Sequence, residues 1–164
     1  MSRLAISVLL VLSLQVVAYS QVNFKVDYYS GEDGLSHSAV ASILKDKDGF
    51  LWIGTWNGLN RYDGQQFKTY KSQVKDRSYL ENKRIIQVVE GYDNVLWIRT
   101  HDKQIYIFDK RGEQFLSFSA ILEETKKERI FFNKILNVAD NNVWLGGEEG
   151  LYAVRNGKVP GTEI

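Results

Sequence analysis

The stretch DKDGFLWIGT, residues 46–55, decides the fold because it recurs twice in weaker form along the 164-residue chain. Its tryptophan, Trp52, has counterparts in Trp97 and Trp144, which follow at intervals of 45 and 47 residues. Each tryptophan is preceded by an aspartate four residues earlier and by a β-branched aliphatic residue nine residues earlier. Because a threefold match of this kind is improbable by chance, the chain contains an internal repeat with a period of about 46 residues.

Each copy of the repeat is predicted to form short antiparallel strands, because β-rich runs alternate with turn pairs. The predicted strands are 39–44, 50–55, 59–62 and 66–71 in copy one, 84–89, 95–100, 104–108 and 113–118 in copy two, and 132–138, 143–145 and 151–155 in copy three. The pairs Asp48-Gly49, Asn57-Gly58, Asp63-Gly64 and Asn156-Gly157 are predicted to make primed two-residue turns, in which both central residues have positive φ. The segment 119–128 has helical character and would connect copies two and three.

Four antiparallel strands in about 45 residues is the size of one propeller blade. The sequence therefore predicts an all-β chain of about three four-stranded antiparallel β-propeller blades in an incomplete ring. The predicted parts are a strand (Phe24–Tyr29) and a loop within 21–38, blade 1 at 39–71, blade 2 at 83–118, an incomplete blade 3 at 130–159, and a truncated tail at 160–164. Closed rings have about four to eight blades, so we expect a truncated N-terminal piece of a larger protein.

The repeated tryptophans are predicted to form the structural core of the blades. Trp52, Trp97 and Trp144 each lie on the second predicted strand, where a large flat ring can fill the gap against the neighbouring sheet. An aromatic residue that recurs once per repeat is more typical of packing than of ligand binding.

The N-terminus is typical of a secretory signal peptide over residues 1–20. Arg3 supplies the positive charge, Leu4 to Ala18 an apolar stretch, and Ala18-Tyr19-Ser20 a cleavage site with small residues. No later segment approaches the ~20 apolar residues of a membrane-spanning helix. We therefore expect an exported chain whose mature part makes no membrane contact.

Composition excludes several classes of function. The chain has no cysteine and only two histidines, which argues against disulfides, thiolate zinc sites and multi-histidine metal centres. Its 21 basic residues include Arg3 and stand against 20 acidic ones, so the mature charge is about zero and nucleic-acid binding is not expected. The acidic turn that starts at Asp46 lacks the spacing of an EF-hand. We predict no metal and no cofactor.

Copy one resembles the two-component regulator propeller repeat. The resemblance is carried by GLSHSAV (34–40), DKDGFLWIGT (46–55) and NGLNRYDG (57–64). Copy two departs from the pattern at Arg99 and at 101–103, and copy three has a shortened tail. The resemblance implies the periplasmic sensor region of Bacteroides-type hybrid two-component histidine kinases, which often recognise carbohydrate fragments. It also implies that the partners are the rest of such a receptor and a second copy of it.

The chain itself shows no phosphoacceptor-histidine helix, nucleotide-binding glycine-rich segment or receiver aspartate cluster, so we do not expect an enzyme. Candidate ligand-binding residues are Trp56, Asn57, His37 and His101, because propellers usually bind ligands at the turns between second and third strands. An exposed indole can stack on a sugar while the polar groups bind hydroxyls. The alternative for Trp56 is a rim residue that packs between blades, and the alternative for His37 is a turn histidine that caps backbone groups. Two other functions stay open: a fragment of a secreted propeller hydrolase or lyase, and a structural or dimerisation propeller without a small-molecule ligand.

Overall fold

The computed structural model describes residues 23–71, 80–126, 128–139 and 142–155. It contains eleven strands, one 3-10 turn (Gly31–Asp33) and one α-helix, α1 (Phe118–Lys126). The strands are β1 (Val40–Lys45), β2 (Leu51–Thr55), β3 (Gly58–Tyr62), β4 (Phe67–Tyr70), β5 (Ile85–Glu90), β6 (Val95–Thr100), β7 (Ile105–Asp109), β8 (Gln114–Ser117), β9 (Phe132–Ala139), β10 (Asn142–Gly147) and β11 (Leu151–Val154).

The strands form three separate antiparallel meanders, one for each copy of the repeat. Strands β1 to β4 form blade 1, β5 to β8 form blade 2, and β9 to β11 form the described part of blade 3. The all-β fold class predicted from the sequence is confirmed, and α1 lies between blades 2 and 3 where a helical connection is expected. The predicted signal peptide, the Asn156-Gly157 turn and the tail lie outside the described residues.

The first strand of every blade carries a β-bulge at the same repeat position. The register shifts between Val40 and Ser42 in blade 1, and between Ile85 and Gln87 in blade 2. In blade 3 it shifts where Gly146 and Gly147 pair with Lys134 and Phe132. A β-bulge changes the direction in which side chains point, and a bulge that recurs at one position is part of the repeat structure. The three copies are therefore aligned by backbone geometry as well as by sequence.

Neighbouring blades pack face to face in a fixed direction. We call the face turned towards the preceding blade the leading face and the opposite face the trailing face. On the trailing face of blade 1, Trp52 packs 5.6 Å, between ring centroids, from Phe108 of blade 2. The trailing face of blade 2 presents Trp97 to a cluster with Phe132 and Ile135 of blade 3.

The three repeated tryptophans, which are all predicted to form the core, differ in burial. Trp52 and Trp97 are 1% and 0% exposed, whereas Trp144 is 39% exposed. Trp144 occupies the same position on the trailing face of blade 3, and no described residue forms a further blade against it. The pairing of β10 with β9 also shifts register between Trp144 and Leu145, a shift that is absent at Trp52 and Trp97.

The glycine turns lie where they are predicted, but their type differs from the prediction. In Asp48-Gly49, Asn57-Gly58 and Asp63-Gly64 only the glycine has positive φ, at 93°, 110° and 99°. Each turn therefore has a left-handed glycine after ordinary residues, as in a type I turn with a bulge. In the first of them, Asp46 Oδ1 accepts hydrogen bonds from the backbone N–H groups of Asp48 and Phe50, which fixes this geometry.

The predicted strand Phe24–Tyr29 is not formed. Residues 23–30 belong to no sheet, and Phe24, Val26 and Tyr28 are more than four-fifths exposed. Tyr29 instead lies 5.6 Å, between ring centroids, from Phe67 on blade 1. The alternating pattern that predicted the strand is present, but no described backbone pairs with it.

Candidate ligand-binding face

The turns between second and third strands lie on one side of the blades, which we call the top face. It comprises residues 36–38, 56–57, 101–103 and 148–149, together with the segment 82–84 that leads into blade 2. Backbone hydrogen bonds of 2.9 Å join these parts, from Gly58 to the Lys83 carbonyl and from His101 to the Arg84 carbonyl. A third, also of 2.9 Å, runs from Phe132 to the Lys103 carbonyl. The top face is therefore continuous across all three blades.

Trp56 is the large aromatic residue of the top face and is 48% exposed. Its ring has two planar neighbours. The His37 imidazole is stacked with a centroid distance of 6.0 Å, and the Arg84 guanidinium carbon lies 5.2 Å from the Trp56 ring centroid. Because Arg84 belongs to the segment leading into blade 2, Trp56 bridges two blades at their rim.

His37 and Asn57 both hold the loop that leads into blade 1. His37 Nδ1 accepts a 2.9 Å hydrogen bond from the backbone N–H of Ala39. Asn57 Nδ2 donates to the Ser36 carbonyl at 3.2 Å. The two side chains thus have the backbone-capping function that the sequence offered as an alternative for His37, and they position Trp56.

A buried polar network lies directly beneath this loop. Asn60 is fully buried, and its Nδ2 donates to Ser36 Oγ at 2.8 Å, while its Oδ1 accepts from the Ser36 N–H at 3.0 Å. Thr55 Oγ1 lies 2.8 Å from Ser36 Oγ, and Thr69 Oγ1 donates to Asn60 Oδ1 at 3.0 Å. Sequence reasoning missed this network, although the polar Asn60 beside Leu59 in a predicted strand is the signal that could have found it.

The other predicted residue, His101, lies on the adjacent turn of the same face. Its side chain is exposed, and its backbone N–H binds the Arg84 carbonyl. Farther along, Lys103 forms an ion pair with Glu148 across blades 2 and 3. The structure therefore brings Trp56, Asn57 and His37 into one cluster, and connects His101 to it through the Arg84 backbone.

A second concave region lies at the opposite end of the strands, between blades 1 and 2. This cleft has a volume of about 290 Å³ and includes Asp46, Arg61, Lys110 and Arg111 in its lining. Lys110 is 8% exposed and lies 3.1 Å from Asp46 and 3.0 Å from Glu90. The floor of the cleft is thus a buried ion-pair cluster that joins the two blades.

The ion pairs in this cluster shift the pKa values of their members. Burial by itself raises the pKa of Asp46, but hydrogen bonds from the Trp52 indole, Lys110 and the Phe50 amide outweigh burial and hold it below its usual value. Burial likewise lowers the pKa of Lys110, but bonds to Glu90 and Asp46 raise it above its usual value. Both groups are therefore charged at neutral pH. Within the described ranges, no group of three or more His, Asp or Glu side chains is arranged to hold a metal ion.

The repeat of blade 1 corresponds to a known family. The family model described as "Two component regulator propeller" matches residues 34–57, which include the top-face loop, β1 and β2. Blade 1 carries a two component regulator propeller repeat. The resemblance inferred from the sequence is thereby confirmed.

One relative in sequence is the protein described as Histidine kinase P4 of Formosa agariphila, which is 46% identical over 54 residues. That alignment covers 33% of the chain and 4% of the kinase.

Solved structures share the propeller fold. The extracellular domain of the protein described as the hybrid two component system BT3049 of B. thetaiotaomicron is 22% identical with a TM-score of 0.62, over 83% of this chain and 21% of that one. The corresponding domain of BT4673 from the same organism is 19% identical with a TM-score of 0.60, over 87% and 20%. PorZ of Porphyromonas gingivalis, described as a surface component of the type-IX secretion system, is 16% identical with a TM-score of 0.54, over 79% and 19%. The chain with its propeller repeat spans about a fifth of the length of these structures.

None of the described helices has the length and apolar character needed to cross a membrane.

Proposed function

We propose that the chain forms part of the exported, periplasmic ligand-sensing propeller of a two-component receptor, and that its top face binds carbohydrate fragments. The match to the two component regulator propeller repeat supports the receptor class. The likeness in fold to extracellular domains of two component systems supports export. The observation that carries the ligand proposal is the half-exposed Trp56 ring beside His37 and Arg84.

The chemistry of this cluster suits a neutral, hydroxyl-rich ligand. An indole offers an apolar face to the C–H groups of a sugar, while a guanidinium donates several hydrogen bonds to hydroxyl oxygens. Trp56 belongs to blade 1, whereas Arg84 and His101 belong to blade 2. A ligand that contacts both blades would stabilise one relative arrangement of them. The propeller could transmit the presence of bound ligand in this way.

The experiment is a binding titration of the chain with a panel of short neutral oligosaccharides, followed by calorimetry and by the melting temperature. We expect at least one oligosaccharide to raise the melting temperature of the native chain, and Trp56→Ala to abolish that rise. Tyr28→Ala is the matched control, because Tyr28 is an exposed aromatic residue of the N-terminal segment. Equal binding by native chain and Trp56→Ala would refute the top-face site.

A second candidate function is a structural or protein-docking propeller without a small-molecule ligand. The observation that favours it is that the Trp56 ring is already in contact with His37 and Arg84, so a sugar would have to displace or share one of them. Under this alternative no oligosaccharide shifts the melting temperature, and Trp56→Ala loosens the junction between blades 1 and 2. Turnover of an added glycoside by the chain would favour the hydrolase alternative instead.

A further inference from the structure

The cleft between blades 1 and 2, at the end of the strands opposite the top face, contains two arginine side chains without a bonding partner. In the described part of the chain, the guanidinium groups of Arg61 and Arg111 take part in no hydrogen bond and no ion pair. The amide side chain of Asn94, which also lines the cleft, has no hydrogen bond to a described residue either. These three side chains can therefore donate to a molecule held in the cleft.

The buried carboxylates of the cleft are already used within the protein. The side chain of Asp46 is fully buried and accepts four hydrogen bonds, two at each oxygen. Glu90 accepts from Lys110 Nζ at 3.0 Å and from the backbone N–H of Lys47 at 3.1 Å. Neither carboxylate is left to neutralise the two arginines.

Glu113 of blade 2 is occupied in the same way. Its carboxylate accepts from Lys68 Nζ at 2.6 and 2.7 Å and from the Tyr70 hydroxyl at 3.0 Å. The hydrogen bond from Lys68 is the main reason why the pKa of Glu113 is lowered, and the charge of Arg61 contributes to a smaller extent. Arg61 therefore acts on Glu113 through space without being paired with it.

Arg61 is held in place by aromatic rings. Its guanidinium carbon lies 4.7 Å from the ring centroid of Phe50 and 5.9 Å from that of Trp52. A guanidinium that stacks on aromatic rings keeps the N–H groups at its edge free for other partners. A planar carboxylate matches such an edge through two parallel hydrogen bonds.

The accessible groups of the cleft restrict the rest of the ligand. Asp48 is half-exposed and lies 3.4 Å from Lys110, so one carboxylate stands beside the two arginines. Two guanidinium groups and one carboxylate leave an excess of one positive charge, which favours a ligand with a single negative charge. Asp48 can accept a hydrogen bond from a hydroxyl group, and the Asn94 amide can both donate and accept.

We propose that this cleft binds a small monocarboxylate that also carries hydroxyl groups. Arg61 binds the carboxylate, Arg111 adds a second positive charge, and Asp48 and Asn94 bind the hydroxyl groups. The volume of about 290 Å³ lies at the lower end of the range of about 300–1,000 Å³ that ligand pockets have. The ligand is therefore a single sugar acid or a smaller hydroxy acid, and the site differs from the top face in position and in charge.

The test is a calorimetric titration of the full chain at low ionic strength, with probes that separate the two features of the ligand. D-Glucuronate and D-glycerate carry a carboxylate and hydroxyl groups, acetate carries only the carboxylate, and D-glucose carries only hydroxyl groups. We expect glucuronate or glycerate to bind at least about tenfold more tightly than acetate and glucose, because only they use both parts of the site. The tighter of the two identifies the ligand as a ring acid or as an acyclic acid.

Three variants locate the binding site within the chain. Arg61→Gln should weaken binding of the hydroxy acid by about tenfold or more, because it removes a charge-assisted contact. Arg111→Gln should weaken it to a smaller extent, and its exposed position keeps the site testable if Arg61→Gln does not fold. Arg129→Gln is the matched control, because Arg129 also lies over a phenylalanine ring, 5.8 Å from the centroid of Phe131, but does not line the cleft. It should bind as the native chain does.

Several outcomes would overturn the proposal. One is that neither hydroxy acid binds, and another is that acetate or glucose binds as tightly as they do. Native affinity in both arginine variants of the cleft, with circular dichroism that matches the native chain, would place the site elsewhere. Inorganic phosphate that binds as tightly as the hydroxy acids would show a general anion site. Because the variants lie outside the top face, the result is independent of whether Trp56 binds a neutral oligosaccharide.

Discussion

The indole Nε1 of Trp52 donates a 2.7 Å hydrogen bond to Asp46 Oδ2, whereas the same atom of Trp97, the equivalent tryptophan of blade 2, has no acceptor among the described residues. Six residues before each tryptophan stands the residue that makes the difference, Asp46 in blade 1 and Gly91 in blade 2. At Gly91 a Cβ would lie 2.9 Å from Trp97 Nε1, so no side chain fits there without a shift of the ring. Two equally buried indoles thus differ in one hydrogen bond.

This difference predicts unequal costs for the same substitution. Trp52→Phe removes a donor from a buried carboxylate, whereas Trp97→Phe removes an N–H that has no partner in the described structure. Both lose similar volume, so Trp52→Phe should reduce the free energy of unfolding by about 1–3 kcal/mol more than Trp97→Phe. Urea denaturation of the two variants measures this, and equal losses would contradict the assignment of the hydrogen bond.

The lowered pKa of Asp46 predicts a loss of stability in acid. Because the pKa of this carboxyl is lower in the folded chain than in the unfolded one, its contribution is complete above the ordinary aspartate value of about 4 and is lost as the pH falls through the folded pKa. Asp46→Asn, which cannot titrate, should therefore lose less stability than the native chain between neutral and acidic pH. The measurement is the free energy of unfolding across this range. Glu32→Gln, at an exposed carboxylate, is the control and should retain the native pH dependence.

The raised pKa of Lys110 predicts the opposite dependence at alkaline pH. Its contribution to stability is complete below the ordinary lysine value of about 10.4 and is lost as the pH rises through the raised pKa of the folded chain. Lys110→Met should remove this alkaline loss of stability. The double variant of Lys110→Met and Asp46→Asn should lose less free energy of unfolding than the sum of the two single variants. The reason is that neither Asp46 nor Lys110 is then left charged without the other. Strict additivity of the two substitutions would show that the groups do not interact.

The close approach at Gly54 predicts that one added methyl group disturbs the junction of blades 1 and 2. Gly54→Ala would place Cβ 2.6 Å from Ile85 Cγ2 and 3.2 Å from Val88 Cγ2. Overpacking of this kind costs about 1–3 kcal/mol. Thermal or urea denaturation measures the loss, and combining Gly54→Ala with Ile85→Ala should recover part of it. Gly31→Ala is the control, because no atom lies within 4 Å of a Cβ at that position.

The polar network under the top face predicts that Asn60→Ala destabilises the chain more than Asn57→Ala does. Asn60→Ala empties a fully buried position and removes one hydrogen-bond partner from each of the partly buried residues Ser36 and Thr69, so it should cost about 1–3 kcal/mol. Asn57→Ala removes one bond to the Ser36 carbonyl in a partly exposed site and should cost about 1 kcal/mol or less. Urea denaturation ranks them, and the reverse order would contradict the network.

The blades were predictable from the sequence because their period, apolar runs and turn glycines all act within one repeat. The exposure of Trp144 was not, because a trailing face is buried only by its neighbour and the repeat itself contains no information about that neighbour. Phe24–Tyr29 has the alternation of a strand, but a strand also needs a backbone partner, which local pattern cannot supply.

The candidate site was predictable only in part, for a related reason. The repeat pattern singles out Asp48 and its counterparts, whereas the aspartate that binds the buried indole is Asp46, which has no acidic counterpart in copy two or copy three. The sequence places Trp56 and His37 on the same face of the propeller, in separate segments, but does not predict that their rings stack. Arg84, which contacts Trp56 from blade 2, is distant in sequence, and only the packing of the blades brings it to the ring.

Because the blades pack on one another in one direction, the free energy needed to open a blade locally also varies along the stack. Stability in such arrays is approximately the sum of each unit and its contacts with the next unit, so a unit held on both sides opens least often. Blade 2 is that unit, since its leading face is packed against Trp52 and its trailing face against Phe132. Its central amides should exchange hydrogen for deuterium most slowly, and protection should decline towards β1 on one side and β11 on the other.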